Sequence, residues 1–385
     1  MTQFPLERFK NLKTPFYYYD MDLLQATLQA VAEATAGDPR FKVHYAVKAN
    51  ANPEILKAIA AAGFGADCVS GGEIKMALDA GFKAEDIMFA GVGKTDAEIE
   101  MGLDVGIGMF NVESEPELEV IMEIAERMGK VATVALRVNP DIDAHTHHYI
   151  TTGLDENKFG IDHRLLSPIV DRAVASPWID LAGLHFHIGS QITIGEPFVL
   201  LCYRVNSMVK DYERRGIRFR SINVGGGLGV DYDDPDANPI ADFSEYFDLF
   251  KNYLKLDADR TIHFELGRSI VAECGSLICR VLYVKKGVNK TFAIVDAGFG
   301  DLIRPAFYQA HHKIQNLSSY GPARQYEVVG PICETSDSFG NDVSLAEARR
   351  GDLIAIRSAG AYGQTMSMTY NGRPLAGSVY SSLPE

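Results

Sequence analysis

The sequence predicts an α/β chain with an N-terminal (β/α)8 barrel and a C-terminal antiparallel β domain. Three observations lead there. From about residue 40 to 265, short apolar runs alternate with segments whose apolar residues recur every three or four positions. About eight such strand–helix units follow one another, which suits a closed barrel better than an open doubly wound sheet. After Glu265 the helical pattern fades, and runs rich in Val, Ile, Tyr and Phe take over.

The predicted barrel strands are Val43–Val47, Gly65–Val69, Ile87–Ala90, Gly108–Val112, Thr133–Val138, Leu181–His187, Ser221–Val224 and Ile262–Glu265. Pro53–Ala62, Gly72–Ala80, Glu115–Arg127 and Phe198–Arg215 read as helices with one buried face. Later strands are expected at Ser276–Lys285, Thr291–Val295, Gln325–Val329 and Asp352–Arg357, with turns at Lys286-Gly287 and Arg349-Arg350-Gly351. This gives a barrel over residues 22–270 and a β domain over 271–385. Residues 1–21, through the strand-like Phe16-Tyr17-Tyr18-Tyr19, are expected to join the C-terminal sheet.

At 385 residues with 46% hydrophobic and 23% charged content, the chain can bury a large core. Its 51 acidic against 37 basic residues, net −14, argue against nucleic acid and anionic membrane as partners. An anionic ligand therefore needs a local arginine or backbone N–H site. No apolar run reaches the length of a membrane span. Met1–Arg8 shows no basic-then-apolar pattern, so no secretory signal is expected. The five cysteines are scattered without a C-x-x-C pair, which fits a reducing cytoplasm rather than a disulfide framework.

In a (β/α)8 barrel the chemistry collects at the C-terminal ends of the strands. Lys48, Arg137, His185, His187, the run Gly225-Gly226-Gly227-Leu228-Gly229 and Glu265 all fall at such ends. Lys48, in Tyr45-Ala46-Val47-Lys48-Ala49-Asn50, has no like-charged neighbour. A rigidly held, partly buried amine of this kind suits Schiff-base chemistry, because only the neutral amine attacks a carbonyl. An ordinary surface lysine capping a strand is the alternative. The glycine run follows the seventh predicted strand, where backbone N–H groups of such barrels often cradle phosphate. Lysine, phosphate site and carboxylate together suggest pyridoxal 5'-phosphate (PLP), with Glu265 opposite the pyridine nitrogen and His187 against the ring. Glu265 could instead pair with Arg268, and His185, His187, His145, His147 and His148 leave a metal site open. Further on, Arg268 and Arg304 could each clamp a carboxylate. Cys333 beside Glu334 could deliver a proton or be a small core residue. Tyr362 could donate to the phosphate or pack in the core.

At these residues the chain resembles the fold-type III, alanine-racemase-like PLP-dependent decarboxylases of basic amino acids. Within them it is most similar to the branch that acts on meso-2,6-diaminopimelate. The resemblance runs from Thr14-Pro15-Phe16-Tyr17 to Met366–Pro374. It rests on Tyr45–Asn50, the run from Asn139 to His147, Lys158–Ile161, His185–Gln191, Gly225–Gly229, Glu265–Ala272, Asp296–Tyr308, Gly330–Asp337 and Gly360–Gly363. It implies decarboxylation of diaminopimelate to L-lysine and CO2, the last step of lysine biosynthesis, by a cytoplasmic PLP-dependent carboxy-lyase without a metal.

The roles it implies are specific. Lys48 would carry the cofactor and His187 would stack on its ring. Ser190, Gly227, Gly267 and Tyr362 would surround the phosphate, with Arg268 also on the cofactor side, and Glu265 would pair with the pyridine nitrogen. Arg268, Arg304 and Tyr308 would hold the substrate carboxylate that is retained, and Tyr362 would also meet the substrate. Glu334 would recognise the distal ammonium, and Cys333 would return a proton to the reacting carbon. The family lends the Cys333 segment across a two-fold interface, implying a homodimer with shared sites. A simple diamino-acid substrate would leave a second buried arginine unpaired at a cost of several kcal/mol, so Arg268 and Arg304 together favour a far-end carboxylate. Related decarboxylases of carboxynorspermidine, ornithine or lysine, a non-catalytic binding homologue of the same fold and a metal-dependent lyase are the competing readings. The chain departs from the family pattern at Leu266 (commonly Pro), at Phe299-Gly300 (commonly Met-Asn) and at Thr335 (commonly Ser).

Overall fold

A computed structural model describes residues 4–140, 142 and 158–382. The histidines at 145, 147 and 148, and most of the motif from Asn139 to His147, lie outside them. The described chain divides into two compact units. One comprises residues 28–229 and 242–267; the other comprises 1–27, 230–241 and 268–385.

Strand β1 (Phe16–Tyr19) belongs to the second unit. The first unit is the barrel. Its strands are β2 (Phe41–Ala46), β3 (Gly65–Cys68), β4 (Ile87–Phe89), β5 (Met109–Val112), β6 (Ala132–Asn139), β8 (Ile179–His185), β9 (Ser221–Asn223) and β10 (Thr261–Leu266), with a short β7 (Ile161–Asp162) beside β6. Every pairing is parallel, and β5 against β6 and β10 against β2 close the ring. All eight barrel strands fall where the apolar runs predict them, within two residues at each end.

Local chemistry explains the helices between them. Ser70, Thr95 and Ser114 accept hydrogen bonds from backbone N–H groups at the starts of Gly71–Ala80, Asp96–Val105 and Glu115–Met128, and each of these helices ends on a left-handed glycine. The outer layer fixes the inner one. Phe264 of β10 meets Phe41, Phe247 and Phe250 at ring distances of 4.9–5.0 Å, pinning the helix Phe243–Tyr253 on the outside. Strand alternation then turns the next residue, Glu265, into the barrel.

The second unit is a mixed sheet of β1 with β11 (Gly275–Lys286), β12 (Thr291–Val295), β13 (Ile314–Asn316), β14 (Ala323–Val329), β15 (Ser338–Ala346), β16 (Leu353–Ile356) and β17 (Gly377–Tyr380). Most pairs are antiparallel; β1 with β17 and β12 with β14 are parallel. β1 joins this sheet along β11, with Phe16 opposite Ile278. β13, β15 and β17 have no counterpart among the predicted strands. Residues 230–241 also belong to this unit, tied by Lys313 to Asp234 at 2.9 Å and Arg357 to Asp236 at 3.1 Å. Among the described residues, no helix is long and apolar enough to cross a membrane.

Gly183, where β6 and β8 shift register, has no room for a side chain: a Cβ would stand 1.6 Å from the Ser221 carbonyl oxygen on β9. Gly183→Ala is therefore expected to lower unfolding free energy by about 3 kcal/mol. Gly37→Ala, where nothing lies within 4 Å of the added carbon, should leave it within about 0.5 kcal/mol. Urea denaturation of the two variants tests this.

Candidate active site

The barrel unit gathers one cluster of polar side chains inside β3, β5, β8, β9 and β10. At its centre is Glu265, 7% exposed. Its Oε1 accepts from Asn223 Nδ2 at 2.7 Å and Asn111 Nδ2 at 3.2 Å, and its Oε2 lies 3.2 Å from His185 Nε2. Burial pushes its pKa up. The charge and hydrogen bond of His185, with Lys48 and His187, outweigh burial and hold the carboxyl below its ordinary range.

Lys48 sits in a 3-10 turn, Val47–Ala49, because β2 stops at Ala46. Its Nζ is 2.9 Å from Oδ2 of Asp67, a fully buried side chain on β3. Burial, then the charge of Glu265, push the Asp67 carboxyl up to about 6 against the pull of Lys48. The two buried carboxylates thus differ in kind: Glu265 stays ionised and Asp67 takes the first proton.

His185 ends β8; His187 lies two residues beyond it. Burial and the nearby Arg137 push the His187 imidazole down to about 3, so it is neutral at pH 7. Its Nδ1 accepts the Gly226 N–H at 3.3 Å, which places the ring proton on Nε2. The glycine loop after β9 needs its lack of side chains. Gly225 and Gly227 have φ of +71° and +114°, and a Cβ on Gly226 would stand 1.8 Å from the Glu265 carbonyl oxygen. Ile192 N–H donates to the Gly227 carbonyl at 2.9 Å and Gly229 N–H to the Ile192 carbonyl at 3.0 Å, so the loop carrying Ser190 is zipped to the glycine loop. Gly267 backs onto Ala46 and Ala49 beside the Lys48 turn. Arg137 is paired with buried Glu113 at 2.6 Å. Among the described residues, no group of three or more His, Cys, Asp or Glu is placed to hold a metal.

The second unit gathers a cluster of arginines and tyrosines. Buried Arg268 donates to Tyr232 Oη at 2.6 Å and lies 4.9 Å over the Tyr362 ring. Buried Arg304 lies 4.8 Å over the Tyr232 ring and donates from Nη1 to His312 Nε2 at 2.8 Å. His312 donates from Nδ1 to the Arg357 carbonyl at 2.8 Å, which fixes its tautomer. Burial and Arg304 push this imidazole down to about 3, so Arg304 leans on a neutral partner. No carboxylate pairs with Arg304 among the described residues. Burial, with Arg268 adding repulsion, lowers the Arg304 pKa. Tyr308 ends the helical turn that begins at Arg304 and acts electrostatically on Arg268. Tyr362 has a left-handed backbone, φ +56°.

Cys333 and Glu334 form a further group in this unit. Cys333 is exposed while the other four cysteines are buried. Tyr370 Oη donates to Glu334 Oε1 at 2.9 Å, and Asn371 Oδ1 accepts the Cys333 N–H at 3.0 Å. Sequence reasoning missed Asp67, Asn111, Asn223, Tyr232 and His312. The available signal was a polar residue at an inward position of an apolar strand, as in Gly65-Ala66-Asp67-Cys68.

Residues 22–272 match the family described as pyridoxal-dependent decarboxylase, pyridoxal binding domain. The chain belongs to the pyridoxal-dependent decarboxylases. Within them it is 55% identical to the diaminopimelate decarboxylase of Bacteroides thetaiotaomicron, over 97% of this chain and 96% of that one. It also resembles the crystal structure of the Helicobacter pylori diaminopimelate decarboxylase complexed with L-lysine. That match has a TM-score of 0.92 and 43% identity, covering 97% of this chain and 93% of that one. The M. jannaschii diaminopimelate decarboxylase in complex with L-lysine matches with a TM-score of 0.90 and 34% identity, over 98% and 89%.

His312 gives a pH test. Its folded pKa of about 3 lies below the ordinary histidine value of about 6.5. Its contribution to stability is therefore full above about pH 6.5 and is lost as pH falls toward 3, because only the unfolded chain takes the proton. Between pH 7 and 5 the protein should lose about 2 kcal/mol that a His312→Gln variant does not lose. Urea unfolding of both at the two pH values checks it.

Proposed function

We propose that the protein decarboxylates meso-2,6-diaminopimelate to L-lysine and CO2, with pyridoxal 5'-phosphate as cofactor. The observation that carries the substrate reading is Arg304: a buried cation whose hydrogen-bond partner is a neutral histidine and which has no carboxylate among the described residues. A buried charge of this kind asks for an anion from outside the fold. The similarity to named diaminopimelate decarboxylases over nearly the whole chain supports the same reading.

The barrel residues fit the cofactor. Lys48 supplies the amine, held by Asp67, and the glycine loop with Ser190 and Gly267 supplies small residues and N–H groups for a phosphate. Neutral His187, its Nδ1 engaged by Gly226, can lie on a flat ring without adding charge. Ionised Glu265 can hold a proton on a pyridine nitrogen. When bound, the cofactor supplies the sink for the electron pair left at Cα when the bond to the carboxyl carbon breaks. Arg268, with Tyr362, serves the cofactor side and, with Arg304 and Tyr308, the retained carboxylate. Glu334 takes the distal ammonium. The Cys333 thiol gives its proton to Cα and recovers one from solvent, so the leaving carboxyl is replaced by hydrogen.

The reading includes a division near residue 270 between cofactor-binding barrel and β domain, a cytoplasmic location in keeping with five unpaired cysteines, and a homodimer that shares its sites. Purified protein with PLP should release CO2 from meso-diaminopimelate and form lysine, but release none from lysine, ornithine or carboxynorspermidine. Lys48→Ala and Cys333→Ala should each lose at least about a thousandfold in kcat. Mixing the two inactive variants under exchange conditions should restore about a quarter of wild-type activity, because half of the dimers are mixed and one of their two sites is intact. No recovery would refute the shared site; release from another substrate instead would refute the arginine argument.

A further inference from the structure

The turn Tyr370-Asn371-Gly372 touches two adjacent residues that carry proposed chemistry. Tyr370 Oη donates to Glu334 Oε1 at 2.9 Å, and Asn371 Oδ1 accepts the Cys333 N–H at 3.0 Å. One turn thus grips the acid by its side chain and the thiol residue by its backbone. Asn371 adopts φ +57° and ψ +21°, a left-handed conformation that asparagine tolerates better than most residues and that needs surrounding support to persist. That support is visible. The Phe299 ring stacks on the Tyr370 ring at 5.8 Å and 19°. Buried Asp337 accepts the Phe299 N–H on one oxygen and the Ile332 N–H on the other, each at 2.6 Å. Phe299, where this chain departs from its family pattern, is therefore the buttress of Tyr370.

We propose that Tyr370 and Asn371 are positioning residues, Tyr370 orienting Glu334 for the distal ammonium of the substrate and Asn371 orienting Cys333 for proton return. This rests on the roles given to Glu334 and Cys333 above. Glu334 is exposed, and a carboxylate there would otherwise sample several rotamers and lose that freedom on binding. The tyrosine hydroxyl fills one acceptor site and leaves the remainder of the carboxylate to a cation. Asn371 acts instead on the backbone that aims Sγ, so the two halves of the clamp serve different steps. Binding depends on the first and proton delivery on the second.

The test uses the full-length holoenzyme and separates those steps. Tyr370→Phe should raise KM for meso-diaminopimelate, and the dissociation constant of lysine measured by calorimetry, about tenfold, with kcat within about twofold. Asn371→Gly keeps the left-handed backbone available and removes the acceptor. It should lower kcat about tenfold with KM within about twofold, and change the rate at which iodoacetamide alkylates Cys333, the one exposed thiol. Phe299→Leu should move KM in the direction of Tyr370→Phe by a smaller factor. Equal changes in kcat and KM for both variants, or an unaltered alkylation rate together with unaltered lysine binding, would overturn the proposal. If the wild type releases no CO2 from diaminopimelate, the functional reading fails by itself. The alkylation and lysine-binding arms still decide the clamp.

Discussion

The barrel is organised around one ionised carboxylate that has been taken out of water. Burying a carboxylate costs several kcal/mol unless its oxygens are satisfied. Glu265 meets that cost with donors from three other strands: Asn111 on β5, Asn223 on β9 and His185 on β8. Hydrogen bonds to a charged group are worth about 1.5–3 kcal/mol each, so three of them offset a penalty of this size. The arrangement works only in a closed ring, because β5 lies across the barrel from β10 in the strand order. The phenylalanines outside β10 set the parity that turns Glu265 inward.

The neighbours follow from that charge. Burial and then the charge of Glu265 push Asp67 up to about 6, with Lys48 as its counter-ion. His187 is neutral because it is buried and faces Arg137 and Lys48, which together outweigh the pull of Glu265. The result is one carboxylate that stays ionised, one whose proton leaves only near pH 6 beside Lys48, and one uncharged ring. In the other unit the signs reverse. Two buried arginines flank Tyr232, and the histidine beside Arg304 contributes no negative charge. A chain of net charge −14 thus buries two arginines around a single tyrosine.

The barrel was legible because its signal is periodic and repeated: eight apolar runs, each with an amphipathic partner, admit few other folds. β13, β15 and β17 were not, since Ser338–Ala346 carries Gly340, Asn341 and Asp342 inside the strand and reads as a turn. The residues at the strand ends were legible because glycine, lysine and histidine are conspicuous there. The inward partners were not. Asp67 and Asn111 are single polar residues in short apolar strands, Asn223 ends the three-residue Ser221–Asn223, and only the register reveals that they converge. Tyr232 and His312 lie 80 positions apart in featureless loops, and their pairing with the arginines is a tertiary fact. Lys48 was read as the end of a strand, whereas it occupies the first turn beyond β2 and gains there the reach to Asp67.

The most direct test of this account is the protonation state of the two barrel carboxylates in the cofactor-free protein. Carbon-13 NMR of side-chain-labelled aspartate and glutamate, assigned with Asp67→Asn and Glu265→Gln, would follow each between about pH 5 and 8. The account predicts a Glu265 resonance at the ionised position throughout and an Asp67 resonance that titrates near 6. A Glu265 signal that titrates within that range, with Asp67 ionised throughout, would contradict it, because the charge organising the barrel would then sit on the other residue.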